Sequence, residues 1–557
     1  MKLRIYPVLI IPLIALFFVN PASATSPLAK PSTNPTLHIS TVNPYVSLLD
    51  PSFDPNAAVG GVPFCSSGSL GTILCYPASW LKVAYNFPGF FGHGGLTGKG
   101  STVVIVDAFG SPTVQSDLNT YDTTFGLPAA TVTILCGPTW TGASTDACPL
   151  NTVADIATVA ATPAGLACGG VPGVTSWAEE TTLDVSQVHA LAPGAHIVLV
   201  VANDCYDTSI YGAEQAVVNQ HKYDGSIMSQ SFGEPDDLVT CTALDPTNSY
   251  CVSYDPSLLN LPNSVFQTAT KHHWTIIAST GDDGANEAAR VTGTLELTPS
   301  FPATNPLVLA AGGTQGSPYG GKYGGAPGPG GTFSCAAFQF CNTGLLVING
   351  GLNGCGTAAR PGEPSSCVPV AYGGESAWNE AIAFQAVGYS TGGGVSSLYS
   401  RPSYQDETPK SVTTLLGTTV STLTGRTTPD VSFNSAVYGG VLAYLGFLGR
   451  WAVFGGTSAS SPAWAAIIAL LNEANGDPVG FINPAIYSLA ESTHGGFGFF
   501  GPFHDITSGN NADCSGLCGE DGFVATRGYD LTTGWGTPNV SAFIQGIQHY
   551  LQDGDSQ

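Results

Sequence analysis

Charge is scarce in this sequence, and positive charge is the scarcest. Only 10% of the 557 residues are Asp, Glu, Lys or Arg, and 15 Lys+Arg face 39 Asp+Glu. An ordinary soluble protein carries roughly 25% charged residues. The formal net charge of -24 at pH 7 argues against nucleic acid and anionic membrane as partners, because both would be repelled. The same composition behaves differently in acid. Once the carboxylates are protonated, positive charge cannot exceed that of the 15 Lys+Arg and 10 His, so self-repulsion stays small. That balance suits an acidic medium.

Other absences narrow the class further. Beyond the N-terminus there is no apolar run approaching the roughly 20 residues needed to cross a bilayer. The last residues, 552–557, offer no lipid-anchor signal, and no repeat recurs at a solenoid period. No His-Gly-Thr-His string occurs, and the G-x-S-x-G elbow of α/β-hydrolases fails at Ser458, which is followed by Ala459-Ser460.

At the N-terminus, Lys2 and Arg4 precede an apolar run over 8–19 and then Pro21-Ala22-Ser23-Ala24. This reads as a secretion signal, residues 1–24, cleaved after Ala24. A secreted, extracellular protein in an acidic environment is therefore expected, with no membrane association once the signal is removed. Cysteine usage agrees. Fourteen Cys form an even set, mostly in close pairs: Cys65/Cys75, Cys136/Cys148, Cys241/Cys251, Cys335/Cys341, Cys355/Cys367 and Cys514/Cys518, leaving Cys168 and Cys205. These spacings suit disulfides that staple loops in an oxidising compartment, with connectivity open. Zinc is the competing reading, but only Cys514/Cys518 has ligand-like spacing and no second pair matches it.

Residues 25–80 are rich in Pro, Ser and Asn with little periodicity, and read as an extended N-terminal arm or pro-segment. A domain over 81–546 and a tail over 547–557 follow. Short apolar runs rich in β-branched residues at 102–106, 197–201, 226–231, 274–278 and 307–311 suit buried parallel strands. Helical stretches at 114–125, 177–192 and 209–220 alternate with them. The expected class is therefore α/β, a mostly parallel central sheet with helices on both faces. The Gly- and Cys-rich stretch over 317–375 reads as a stapled loop insertion.

Three strings carry chemistry. Gly455-Gly456-Thr457-Ser458-Ala459-Ser460-Ser461-Pro462 runs into an apolar helix over 463–474. Its glycines permit a sharp turn, and Pro462 suits a first helical turn. Ser458 then lies beside free backbone N–H groups and the positive end of a helix dipole, where developing negative charge is favoured. Alone, such a string is ordinary N-cap chemistry.

The second string is a helix in which Ser176 and Glu179 match a capping box. Glu180 and Asp184, four apart, share one helical face with Trp177, Val188 and Leu191. Two carboxyls on a buried stripe repel and lose hydration, so one should hold its proton to higher pH, as a general base with its orienting partner would. The bland alternative is a solvated acidic pair. The third string, Ser279-Thr280-Gly281-Asp282-Asp283-Gly284, follows a buried strand, where open α/β sheets place ligands.

Together these strings resemble the sedolisins, or serine-carboxyl peptidases, which have a subtilisin-like fold. The likeness includes Glu180 to Asp184 as E-x-x-L-D, His189 to Ala195, Gly281-Asp282, Phe301-Pro302-Ala303, Ala311-Gly312-Gly313-Thr314, Gly392-Gly393-Gly394-Val395-Ser396-Ser397 and the Ser458 string, spanning about residues 80–543. The resemblance implies a serine-type peptidase acting on proteins or peptides, with Ser458 as nucleophile, Glu180 as general base, Asp184 as its partner and protonated Asp282 donating to the oxyanion. It also implies an acidic optimum and one Ca²⁺ in a C-terminal loop, bound by the carboxylates of Asp505 and Asp530 with carbonyls of Ile506, Thr526 and Gly528. Thr526 stands where the family often has Gly. The span between Ala24 and the domain is much shorter than the folded propeptide usual in the family. A monomer is expected.

Two rival readings stay in view. One is a subtilisin-type Ser-His-Asp enzyme, since Asp107 ends the first strand as that triad's Asp would, although His189 sits among Ala190, Leu191 and Ala192 and reads as packing. The other is a calcium-stabilised binding or surface protein with an inert peptidase fold.

Overall fold

A computed structural model describes residues 45–54, 58–59, 62–67, 71–89, 95–144, 146–236, 259–287, 297–315, 372, 375–380, 389–493, 501–512 and 521–554. The signal segment 1–24, most of the Gly- and Cys-rich insertion, and Cys241, Cys251, Cys335, Cys341, Cys355, Cys367, Cys514 and Cys518 lie outside these residues.

The expected apolar runs all become strands of one sheet. Thr102–Ala108, His196–Ala202, Ile227–Gln230, Thr275–Ser279 and Val308–Gln315 are joined by Thr133–Cys136 at one edge and by the antiparallel Ser376–Ala377 at the other, while Val431–Asn434 also pairs with Val308–Gln315. All other pairings in this sheet are parallel. The strand cores are buried on both faces, which is why they read as continuous apolar runs. Helices Gly170–Leu191 and Ser460–Asn475 pack on each other and on one face; Asp207–Val218 and Asn260–Lys271 pack on each other and on the opposite face. The fold is thus the α/β, subtilisin-like arrangement expected, with disulfides Cys65–Cys75, Cys136–Cys148 and Cys168–Cys205.

The structure departs from the sequence reading at several ends. Helix Gly170–Leu191 begins before Ser176, with Gly169 at its N-cap. Ser176 and Glu179 therefore lie inside the helix, and there is no capping box. Pro172 falls in the first turn, where no intrahelical N–H is required of it, so the helix can begin ahead of it.

Part of the arm also belongs to the folded body. Tyr45–Leu48 pairs antiparallel with Arg450–Gly455, placing Tyr45 opposite Gly455. Hairpin strands Val62–Ser67 and Gly71–Tyr76 extend the same second sheet through Gly440–Leu445. At the other end, helix Val540–Gly554 runs through the boundary expected at 546, and Ile547 within it is fully buried.

Candidate active site

The Ser458 string leaves strand Arg450–Gly455, turns through Gly456 and a single 3-10 turn Thr457–Ala459, and enters helix Ser460–Asn475. Gly456 has φ 108°, and a Cβ there would lie 2.6 Å from Oδ2 of Asp282. Glycine is thus required twice over, by backbone conformation and by the approach of a carboxyl group. Thr457 completes that contact: its backbone N donates to Asp282 Oδ1 at 2.7 Å and its hydroxyl to the same oxygen at 2.8 Å. Asp282 follows the C-terminal end of strand Thr275–Ser279, and the glycine run at 392–394 closes over its turn, with Gly392 N donating to Gly281 O at 2.8 Å. A Cβ on Gly392 would collide with Thr280 O.

Glu180 and Asp184 come to Ser458 from the neighbouring helix, and both are completely buried. Burial pushes the Glu180 carboxyl well above the usual range, the charges of Asp184 and Asp107 push it further, and the Ser458 hydroxyl pulls it back. Asp184 is raised first by burial and then by Asp107, against hydrogen bonding from Ser231 and Glu180. Asp107, at the end of strand Thr102–Ala108, is pushed up to about 7 by burial. Among the described residues, no cation is among the groups acting on these three carboxyls. Repulsion and lost hydration together favour a protonated cluster.

Ser231, immediately past strand Ile227–Gln230, had no assigned role in the sequence. Its hydroxyl donates to Asp184 Oδ1 at 3.0 Å and lies 3.4 Å from the carbonyl of Ser458. The signal that could have found it is positional: it stands at the carboxyl edge of a parallel strand, as Asp282 does. The arrangement supplies a hydroxyl, an adjacent carboxyl, a second carboxyl behind it on the same helix and a third across the turn, from three separate elements. His189 is not part of it. Its Nε2 lies 3.0 Å from Asp122 Oδ1 and 3.0 Å from the carbonyl of Pro128, inside the packing.

The C-terminal loop brings together Asp505, Gly528, Thr526 and Asp530. The Gly528 backbone N donates to both oxygens of Asp505 at 3.1 and 3.2 Å, and Thr526 N donates to Asp530 Oδ2 at 2.8 Å. Burial pushes Asp505 up to about 6 and Asp530 up to about 7. Ile506 is buried beside them. Two desolvated carboxyls, each held by a backbone N–H of the 526–528 turn, offer oxygen donors of the kind that a hard cation such as Ca²⁺ takes.

Comparison with known proteins agrees with this architecture. A model of the subtilase family matches residues 159–493. Kumamolisin from a Bacillus species is 29% identical over 372 residues, 66% of this chain and 50% of that protein. Tripeptidyl-peptidase 1 of Rattus norvegicus is 30% identical over 292 residues, 51% of this chain and 39% of that protein. The chain thus aligns with half or less of the length of these curated relatives. Among solved structures, Pseudomonas sedolisin, a serine-carboxyl proteinase complexed with two molecules of pseudo-iodotyrostatin, superposes with a TM-score of 0.57 at 22% identity, covering 87% of this chain and 99% of that one. The chain belongs to the subtilase family, in its sedolisin branch.

Proposed function

We propose that this protein is a secreted serine-carboxyl peptidase that hydrolyses peptide bonds in acid. Ser458 attacks the scissile carbonyl and forms an acyl-enzyme; Glu180 takes its proton and returns it to the leaving amine; Asp184 orients Glu180 and shares a proton with it. Asp282, protonated, donates to the oxyanion beside the Thr457 backbone. Water then releases the acyl group by the reverse proton path.

The observation that carries this reading is the seating of Ser458 against a buried carboxyl cluster on which, among the described residues, only carboxyls and hydroxyls act. Such a cluster stays partly protonated well above the ordinary carboxyl range. The oxyanion donor works only while Asp282 keeps its proton, and that requirement points to acid.

Calcium, where bound, would be held by Asp505 and Asp530 with loop carbonyls of Ile506, Thr526 and Gly528. It would supply charge neutralisation and bracing of that loop. The N-terminal signal and the low positive charge support export to an acidic medium, with proteins or peptides as substrates.

Digestion of a denatured protein at about pH 4 tests the assignment, comparing wild type with Ser458→Ala and Glu180→Ala. Cleavage should fall by about 10⁴-fold or more in both, as for the loss of a single member of a catalytic unit. Full activity in Glu180→Ala would exclude the carboxyl-base mechanism.

A further inference from the structure

A second constellation lies at the opposite end of the central sheet. Ser231 and Asp282 stand past the C-terminal ends of strands Ile227–Gln230 and Thr275–Ser279, which run parallel. Just before the N-terminal ends of the same two strands stand Asp224 and His272, and His221 joins them. His221 Nδ1 lies 3.4 Å from Asp224 Oδ1, and His272 Nδ1 lies 3.0 Å from Asp224 Oδ2. The two imidazole centroids are 4.2 Å apart. One ligand atom from each of the three residues can be chosen so that all lie within 4.8 Å of one another.

The backbone holds this grouping in place. His272 is the C-cap of helix Asn260–Lys271, and its carbonyl accepts from Gly225 N at 2.9 Å, tying it to the Asp224 loop. His221 lies just past helix Asp207–Val218, with φ 54°, and its N donates to Val218 O. Two packed helices therefore present their C-terminal, negative dipole ends to one spot, a setting that favours a cation. Lys222, beside it in the chain, is engaged elsewhere, with its Nζ 3.0 Å from the Tyr223 hydroxyl.

We propose that His221, Asp224 and His272 form a binding site for a zinc-class divalent metal that clamps the ends of these two helices. A tetrahedral centre with bonds of about 2.0–2.1 Å has ligand-to-ligand edges of about 3.3–3.4 Å. The imidazole nitrogens now lie 3.4 and 3.0 Å from different oxygens of Asp224, so taking up one ion asks for a small rearrangement toward such edges, which side chains 34–52% exposed are free to make. Two imidazole nitrogens and one carboxylate oxygen select a borderline ion such as Zn²⁺ over Ca²⁺, which takes oxygen ligands. Water completes the coordination. The site is separate from both the catalytic carboxyls and the C-terminal loop.

Titration calorimetry of the untagged full chain with Zn²⁺, in excess Ca²⁺ at pH 7.5, tests the assignment, with the thermal midpoint as a second readout. One zinc should bind with micromolar or tighter affinity and raise the midpoint. His221→Ala and His272→Ala should each weaken binding by roughly tenfold or more, since loss of even an outer-sphere partner costs about 10–100-fold. Asp224→Asn, the mildest change, should weaken it without disturbing the circular dichroism spectrum. Absence of a high-affinity zinc at pH 7.5, or affinity unchanged in both histidine variants, would overturn the proposal.

Discussion

Two groups of carboxyls are equally buried and are treated in opposite ways. Asp430, fully buried, meets Arg426 in a two-pronged pair, with Nη1 to Oδ1 at 2.8 Å and Nη2 to Oδ2 at 2.6 Å. It also accepts from the Tyr487 hydroxyl at 2.6 Å and from Ala310 N at 2.8 Å. Glu180, Asp184 and Asp107 have the same burial and face one another instead. Burial alone therefore does not set these two groups apart; their partners do. A carboxylate facing a guanidinium is matched by charge-assisted hydrogen bonds, whereas carboxyls crowded together repel one another and share protons.

Breaking each group tests the contrast. Asp430→Asn leaves the Arg426 charge buried and uncompensated and should destabilise the fold by about 3–5 kcal/mol. Glu180→Gln removes a repelled group and should leave the thermal midpoint unchanged or higher at pH 6 to 7. Parallel thermal melts of the two variants decide it. A large loss in Glu180→Gln would mean that this carboxyl is structural.

The pH dependence of stability should be smaller but spread over more of the molecule. Burial pushes Glu214 and Glu234 up to about 8 and Asp117 up to about 7. Their folded pKa values exceed the unfolded ones, so the folded state binds more protons. Stability is then fully present below about pH 4 and lost as pH rises through about 7 to 8. The thermal midpoint should fall by roughly 5 °C or more between pH 4 and pH 8. A midpoint that rises over that range would contradict these assignments.

Much of the site was legible in the chain because its signals are local. The spacing of four between Glu180 and Asp184 places both on one helical face, and Gly455-Gly456 before Ser458 marks a turn into a helix. The strands were legible because burial on both faces leaves an unbroken apolar run. What escaped depends on distant partners. Tyr45–Leu48 is a strand because Arg450–Gly455 lies beside it, and nothing within the arm announces that neighbour. The Cys168–Cys205 link joins the segment just before the Glu180 helix to the segment just after strand His196–Ala202; spacing alone left both cysteines unassigned. Ser231 acquires its role only because Asp184 arrives from another element.

The glycines show the same division. Gly456 reads in sequence as part of a sharp turn, but the reason no side chain fits is Asp282, 174 positions earlier in the chain by subtraction of the two residue numbers. Local pattern thus gives an element, and tertiary contact gives its purpose.

The most direct test of the central claim is the pH–rate profile of the wild-type protein on an unfolded protein substrate. A serine-carboxyl mechanism gives a maximum at about pH 3 to 5, with activity falling toward pH 7. A maximum at neutral pH, with little activity at about pH 4, would contradict it.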